Sequence, residues 1–257
     1  MLDSHKPLHA YKASLKLLDG RVILVTGADT DLGETVAEAL AAHHATVVLL
    51  GNRRKRLEET YDRIEAGGAP QPALMPINLI KASADAYEQL ADTLGSEFGL
   101  LDGIAHCGME VSLLSPLELF DLPIFAEVMQ ANVTAPYLLT RTCLGLLKES
   151  HDASIVFTSS EVGREGKPYW GAYGIACFAI EGMMQIWAAE LAGETGIRVN
   201  SLATGPIRTT SRAKIYPGED PTKLLTPEEI VAAYLYLLGP ESKDITGRAL
   251  HAQQPLA

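Results

Sequence analysis

Cysteine is scarce in this sequence, and long apolar runs are missing from it. The three cysteines Cys107, Cys143 and Cys177 are unevenly spaced, which argues against a disulfide framework and favours a reducing, cytoplasmic location. We find no apolar run close to the roughly 20 residues that a membrane span needs. The first residues, MLDSHKPLHAYK, lack the apolar core of a signal peptide. The sequence therefore predicts a soluble intracellular protein without membrane contact.

Positive charge is also in short supply. Lys and Arg number 21 against 32 Asp and Glu, which gives a formal net charge of -11. An acidic chain without a basic stripe argues against a nucleic-acid partner. The local basic cluster at residues 53–56 is either a solvated helix start or an anion-binding site. No metal site is predicted.

What the sequence does contain is a regular alternation of short β-branched runs and longer helical patterns. With 257 residues, 47% of them hydrophobic, it can bury a substantial core. The runs at 21–27, 45–50, 72–78, 101–107, 153–159, 197–203 and 247–252 indicate strands, and the first six are nearly all apolar. Helices are predicted at 32–43, 54–66, 82–97, 123–147, 171–193 and 227–238.

This alternation predicts an α/β fold with a doubly wound, Rossmann-like, mostly parallel sheet of seven strands covered by helices on both faces. No composition break divides the chain, so residues 1–257 are interpreted as one domain with a preamble at 1–19. Residues 205–226 lack periodicity and are the candidate substrate segment. In such sheets, ligands bind at the carboxyl ends of the strands.

The stretch VTGADTDLGE follows the first predicted strand and opens the first helix, where backbone amides and the helix dipole favour a phosphate. Here the chain resembles the short-chain dehydrogenase/reductase family, whose loop has the pattern T-G-x-x-x-G-x-G. Thr26, Gly27 and Gly33 match it, while Asp31 replaces the middle glycine. At ~5 Å and an effective dielectric of about 20, a carboxylate there repels the pyrophosphate by up to ~3 kcal/mol before screening. The alternative is that Asp31 points to solvent.

The resemblance runs from about residue 18 to residue 252 and implies a set of cofactor positions. Those beyond the loop glycines are Leu32, Asn52, Arg53, Arg54, Asn78, Leu79, His106, Gly108, Gly205 and Thr209. After the second strand, no acidic residue is present to bind a ribose hydroxyl, and Asn52, Arg53 and Arg54 favour NADP(H) over NAD(H). His106 and Cys107 are unusual in the family's N-A-G turn, and Thr204 stands where the family has proline.

The same resemblance implies a catalytic group. Asn132 matches the family's water-ordering asparagine, although a packing or kink role is the alternative. Ser160, thirteen residues before Tyr173, would bond the substrate oxygen, and Tyr173 would transfer the proton. The family's lysine, four residues after the tyrosine, is Cys177 here. Without a nearby cation, a phenol with an ordinary pKa near 10 is poorly ionised at neutral pH.

Two functions from different classes follow from these observations. One is an NADP(H)-dependent carbonyl or alcohol oxidoreductase of impaired chemistry, with Lys167 or Arg164 as possible substitutes for the missing cation. The other is a non-catalytic binding or interaction protein with weak or no dinucleotide binding. A third interpretation treats Cys107 and Cys177 as a redox or metal pair, against two inert buried thiols. By resemblance, a homodimer or homotetramer is expected, formed through the helices that hold Asn132 and Tyr173.

Overall fold

A computed structural model describes residues 5–193 and 196–256, so residues 1–4 of the preamble, 194–195 and 257 lie outside the description. Seven parallel strands form one sheet in the order β3-β2-β1-β4-β5-β6-β7. They are β1 (Val22–Thr26), β2 (Thr46–Gly51), β3 (Ala73–Pro76), β4 (Gly103–His106), β5 (Ser154–Ser159), β6 (Arg198–Ala203) and β7 (Ala249–His251). The chain order reverses between β1 and β4, so the carboxyl ends of those strands open onto a crevice.

Helices cover both faces of the sheet. They are α1 (Asp31–Ala42), α2 (Arg54–Ala66), α3 (Ala84–Phe98), α4 (Leu122–Met129), α5 (Ala135–Lys148), α6 (Gly171–Leu191), α7 (Thr210–Ile215) and α8 (Pro227–Leu238). Apolar side chains of α1, α2 and α8 share one core with the sheet, while those of α3, α5 and α6 share a second core on the opposite face. The predicted doubly wound fold with seven strands is confirmed.

The long helix predicted at 123–147 is two helices joined by a wider turn. A π-helical turn, Gln130–Thr134, separates α4 from α5, and Ala135 donates its N–H to the carbonyl of Gln130. Pro136 lies at the start of α5 and has no N–H for the carbonyl of Asn132, so the regular ladder cannot continue through this point. The predicted span 123–147 is thus helical, with a π-helical turn in its middle.

The segment 205–226 contains structure that the sequence pattern did not indicate. Helix α7 begins after Thr209, whose side chain accepts a hydrogen bond from the N–H of Arg212, and a short 3₁₀ turn follows at Pro221–Lys223. No residue of α7 is buried, so the helix has no apolar stripe from which periodicity could be detected.

Helix α6 is long and apolar enough, by length and composition alone, to cross a membrane. The expectation that no segment reaches this length is therefore wrong. Half of its apolar window is buried inside the fold, where Ile180 and Met184 pack in the core between α6 and the sheet. The core helix of a doubly wound sheet has this composition for the same reason that a membrane span does, because both are surrounded by apolar groups.

Candidate active site

The glycine loop packs closely against the turn after β4. Gly27 has φ +63°, and a Cβ on it would lie 2.4 Å from the Cα of Gly108. A Cβ on Gly33 would lie 2.0 Å from the carbonyl oxygen of Gly27. The hydroxyl of Thr30 accepts a hydrogen bond from the N–H of Gly33 at 3.1 Å and so caps α1. Glycine is required at both positions by space, and at Gly27 also by backbone conformation.

Sequence analysis missed Asp29, a buried acid inside this loop. Its carboxylate accepts hydrogen bonds from the N–H of Arg53 at 2.9 Å and from the Nε of the same residue at 3.1 Å. It also accepts one from the N–H of Asn52 at 3.3 Å. A Cβ on Gly51 would lie 2.3 Å from the Asp29 carboxylate, so the glycine leaves room for this acid. Asp29 therefore fixes the orientation of Arg53, and the family pattern leaves its position unspecified.

The replacement residue Asp31 does not point freely into solvent. Its carboxylate accepts a hydrogen bond from the N–H of Thr210 at 2.5 Å and lies 3.5 Å from the guanidinium of Arg56. Burial raises the pKa of Asp31, but the Thr210 hydrogen bond and the charge of Arg56 outweigh it and hold that pKa below the ordinary value. The charged carboxylate of Asp31 thus connects the glycine loop to α7 through a hydrogen bond.

A cleft of about 740 Å³ opens beside the glycine loop. Some of the residues after β2 and β3 line this cleft and others do not. Asn52, Arg53 and Leu79 line it, together with Ile77 and Ile80. Arg54 is 75% exposed and pairs with Glu58 on its own helix at 2.8 Å. The side-chain oxygen of Asn78 accepts hydrogen bonds from the N–H groups of Ile80 at 3.0 Å and Lys81 at 3.3 Å. The predicted cofactor roles of Arg54 and Asn78 gain no support from these contacts and stay predictions.

His106 and Thr26 lie beneath the cleft rather than in it. The His106 ring stacks on Phe157 with centroids 4.7 Å apart, and its Nε2 lies 3.0 Å from the Thr140 hydroxyl. Burial lowers the pKa of His106 to about 3, so the ring is neutral. Thr26 accepts a hydrogen bond from the N–H of Gly108 at 3.4 Å. Both residues support the turn that closes on the glycine loop.

Asn132 is fully buried in the π-helical turn. Its side-chain oxygen accepts from the N–H of Glu110 at 2.8 Å, and its amide donates to the carbonyl of Glu110 at 2.7 Å. The side chain therefore pins the loop after β4 to the helix. This geometry agrees with the kink and packing alternative, and the water-ordering role implied by resemblance stays a prediction.

Ser160, Tyr173 and Cys177 meet at the carboxyl end of β5. Ser160 and Tyr173 line one pocket, and Cys177 lies one helical turn after Tyr173 on α6. Burial raises the pKa of Tyr173 well above its ordinary value, the neighbouring Cys177 raises it further, and Ser160 offsets this only in part. Burial likewise raises the pKa of Cys177 to about 12. The group is a neutral proton donor set without a cation.

The two candidate substitutes for the missing lysine are engaged elsewhere. Arg164 donates to Glu181 at 3.2 Å and to the carbonyl of Leu250 at 2.8 Å. Lys167 lies 4.0 Å from Glu161. Neither contributes to the shifted pKa of Tyr173, so neither replaces the charge at position 177.

Glu181, which sequence analysis also missed, is buried on the face of α6 that carries Tyr173 and Cys177. Besides Arg164, it accepts hydrogen bonds from Ser159 at 2.7 Å and Ser201 at 2.6 Å. It therefore ties α6 to the ends of β5 and β6, next to the serine and tyrosine of the site. Its position in sequence, four residues after Cys177, is the only signal that could have indicated it.

A pocket of about 160 Å³ opens beside Ser160 and Tyr173. Its walls are largely apolar and aromatic, and they include Leu32, Cys107, Trp170, Ile207 and Ile215. Gly205 and Thr209 also line it, and the Thr209 hydroxyl caps α7 at 3.1 Å from the N–H of Arg212. The larger cleft of about 740 Å³, lined by Gly27, Asn52, Arg53 and Gly108 among others, adjoins this pocket through residues that line both.

The fold and this site together define a short-chain dehydrogenase. Residues 21–220 match the family described as short chain dehydrogenase, and the chain belongs to that family of oxidoreductases. Over 243 residues it is 38% identical to a protein of Escherichia coli (strain K12) that bears the name "Uncharacterized oxidoreductase YciK", with 95% of this chain and 96% of that protein covered.

Solved structures agree with this assignment. One described as a short chain dehydrogenase from Pseudomonas syringae is 49% identical and superposes with a TM-score of 0.93, with 95% of this chain and 98% of that chain covered. Another, from Escherichia coli CFT073 and complexed with NADPH, is 39% identical with a TM-score of 0.91, and covers 94% of this chain and 100% of its own.

Proposed function

We propose that the protein is an NADP(H)-dependent oxidoreductase that interconverts a small carbonyl compound and its alcohol, with an attenuated proton-transfer step. The placement of Ser160 and Tyr173 in the wall of one pocket carries this proposal. Both lie at the carboxyl end of β5, in a pocket that adjoins the glycine-loop cleft. The neighbouring structure from Escherichia coli CFT073, which holds NADPH, supports the choice of dinucleotide.

The residues of the cleft fit a dinucleotide. Gly27 and Gly108 line the cleft, and their backbones approach so closely that a Cβ on Gly27 would clash with Gly108, so backbone rather than side chains forms this part of the wall, as expected where a loop must approach phosphates. The N-terminal amides of α1 supply donors for an anion. Arg53, half exposed and held by Asp29, is the residue we assign to the 2′-phosphate that distinguishes NADP(H) from NAD(H).

In the proposed reaction, the bound dinucleotide supplies or accepts the hydride. The hydroxyl of Ser160 donates a hydrogen bond to the substrate oxygen, and Tyr173 delivers a proton from its Oη in reduction or accepts one there in oxidation. The walls of the pocket around Trp170 and Ile207 exclude water from this step. Because Tyr173 has a strongly raised pKa, it is a weak acid at neutral pH, and slow turnover is expected.

The first test is calorimetric titration with NADPH and with NADH, followed by a panel of aldehydes and ketones assayed by NADPH consumption. Micromolar binding of NADPH, weaker binding of NADH, and turnover that is lost in Tyr173→Phe are expected. Ile180→Val, in the same helix but directed into the core, is the matched control. Absence of NADPH binding at millimolar concentration contradicts the proposal.

A second candidate function is favoured by Cys177, which leaves the phenol of Tyr173 without a cation. In this case the protein binds NADP(H) or a partner without turnover. Micromolar NADPH binding combined with no turnover of any carbonyl by the wild type supports it, whereas turnover that depends on Tyr173 contradicts it.

The third interpretation, a redox or metal pair of cysteines, is disfavoured. Burial raises the pKa of Cys107 and of Cys177 to about 12, so neither thiol is ionised at neutral pH. Among residues 5–193 and 196–256, no group of three or more metal-ligating side chains is present. Labelling of the native protein with a thiol reagent is expected to be undetectable until denaturant is added.

We further infer a homodimer or homotetramer in the cytoplasm. Helices α4 and α6, which flank Asn132 and hold Tyr173, leave large apolar side chains in solvent, notably Leu122 at 78%, Phe178 at 47% and Ile186 at 60% exposure. A subunit interface would cover such side chains. Light scattering coupled to gel filtration tests this, and a monomer at micromolar concentration contradicts it. The three reduced cysteines support the location.

A further inference from the structure

Helix α7 lies at the mouth of the dinucleotide cleft without being packed into the fold. Ser211 and Ile215 line both the cleft and the adjoining pocket, and Lys214 lines the cleft on the same helix. No residue of α7 is buried. No fully buried apolar face holds this helix, so its position across the cleft depends on polar contacts, on the partly buried Ile215 and on the chain on either side.

One contact connects α7 to the opposite wall. Within the described residues, the hydrogen bond that joins α7 to the glycine loop runs from the N–H of Thr210 to the carboxylate of Asp31, at 2.5 Å. Arg56 steadies the same carboxylate from α2 at 3.5 Å. The aspartate that replaces the family's glycine thus has a specific partner 179 residues further along the chain.

The charges in the cleft give Lys214 a role. The charged residues that line it are Asp29, Arg53, Glu110 and Lys214. Arg53 is already paired with Asp29 at 3.1 Å. In the described part of the chain, no ion pair within 4.0 Å engages the ammonium of Lys214, although its charge and that of Arg53 lower the pKa of Glu110, which burial raises. Without Lys214, the carboxyl group of Glu110 would face an anionic ligand in the cleft with less compensating positive charge.

We propose that Asp31 is a positioning residue that holds α7 across the cleft, and that Lys214 is thereby placed to bind the phosphate groups of the dinucleotide. This inference rests on the proposed function. An ammonium is a strong donor to phosphate, and nothing in the family pattern quoted above requires one at this position. The chain has no positive charge at position 177. In this arrangement Lys214 contributes a positive charge to cofactor binding from α7 instead.

The experiment compares dissociation constants for NADPH and NADH by calorimetry. Lys214→Gln is expected to weaken NADPH binding about tenfold, near the lower end for a hydrogen bond to a charged group. It should also flatten the dependence of binding on salt. Lys223→Gln, an exposed lysine of the same segment that does not line the cleft, is the matched control and should bind like the wild type. Equal losses for NADPH and NADH assign Lys214 to the pyrophosphate, and a loss confined to NADPH assigns it to the 2′-phosphate.

The positioning role of Asp31 is tested at its partner. Thr210→Pro removes the donated N–H, and proline is well tolerated at the first position of a helix. The preceding Thr209 has φ -135° and ψ 159°, which is the conformation that a residue before proline adopts. Thr210→Ala retains the N–H and serves as the control. We expect Thr210→Pro to weaken NADPH binding as Lys214→Gln does, and the double variant Thr210→Pro/Lys214→Gln to be no weaker than either alone.

The outcomes separate this inference from the proposed function. Wild-type binding of NADPH that is unchanged in Lys214→Gln overturns the phosphate-binding role and leaves the proposed function intact. Losses that add in the double variant overturn the positioning role. Hydrogen exchange of the 211–216 amides, measured without cofactor, should accelerate in Asp31→Ala, and unchanged protection also overturns the positioning role. Absence of wild-type binding to either dinucleotide refutes the proposed function and this inference with it.

Discussion

Replacement of Cys177 by lysine is expected to raise turnover by about two orders of magnitude. The side chain at position 177 lies close enough to Tyr173 for each group to shift the pKa of the other. It is fully buried, and Gly163 packs against its Cβ without a side chain of its own. Glu181, one turn further along α6, places negative charge near this position. A lysine at this position would lie beside Tyr173, where the charge of Glu181 favours its protonated form and burial opposes it.

The magnitude follows from the distance between the two groups. An ammonium ~5 Å from the phenol oxygen, at an effective dielectric of about 20, stabilises the phenolate by ~3 kcal/mol. This lowers the pKa of Tyr173 by about two units. Proton transfer by a well-tuned acid or base contributes ~100- to 10,000-fold, so an increase in kcat of about 100-fold lies at the lower end of that range.

The assay is NADPH oxidation with a carbonyl panel, together with the reverse reaction measured across pH. In Cys177→Lys, the pH dependence of alcohol oxidation should shift to lower pH by about two units, because the cation favours the deprotonated phenol. Cys177→Met supplies a long side chain without charge and should not give the 100-fold increase in kcat. Tyr173→Phe/Cys177→Lys should be inactive. A folded Cys177→Lys protein that binds NADPH and turns over no faster than the wild type would refute the reasoning.

Three further predictions concern affinity and stability. Asp31→Asn keeps an acceptor for the hydrogen bond to α7 and removes a negative charge near the phosphates. Because the screened repulsion is about 1 kcal/mol, calorimetry should find that NADPH binds about fivefold more tightly. Weaker binding would contradict this. Glu181→Gln weakens a buried network and should lower the free energy of unfolding in urea by about 2 kcal/mol, whereas Glu190→Gln, exposed on the same helix, should change it by less than about 0.5 kcal/mol. Gly27→Ala combines a positive φ with a clash and should lower the free energy of unfolding by about 3 kcal/mol in the same assay. Gly68 has φ +71° and open space around it, so Gly68→Ala should lower it by only about 1 kcal/mol. Equal losses of stability would refute the close approach of Gly27 to Gly108.

The fold could be predicted because its signals are local. Each buried parallel strand is an apolar run of a few residues, and each covering helix has its own apolar face. The exceptions have local physical causes as well. Pro136 interrupts the ladder of a helix whose apolar pattern continues across it. Helix α7 buries nothing, so no pattern could reveal it.

The site was less predictable because its decisive contacts join distant parts of the chain. The positions of Ser160 and Tyr173 followed from spacing and resemblance. The partner of Asp31 lies at Thr210, and that pairing depends on how the segment after β6 folds back over the cleft. The role of Asp29 depends on the close approach of β2 to the glycine loop. A sequence pattern identifies residues at a site but not which of them neutralise one another.

The residues that depart from the family pattern are integrated into the packing of the protein. Asp31 is tied to α7, and Cys107 is buried among the apolar side chains of one core. His106 stacks on an aromatic ring, and its Nδ1 is one of the few buried polar atoms without a partner in the described residues. Cys177 is fully buried and lies one helical turn after Tyr173 on α6. What this site lacks is one positive charge beside one phenol oxygen. The choice between a slow enzyme and a binding protein therefore depends on how readily Tyr173 gives up its proton when substrate and cofactor fill the pocket.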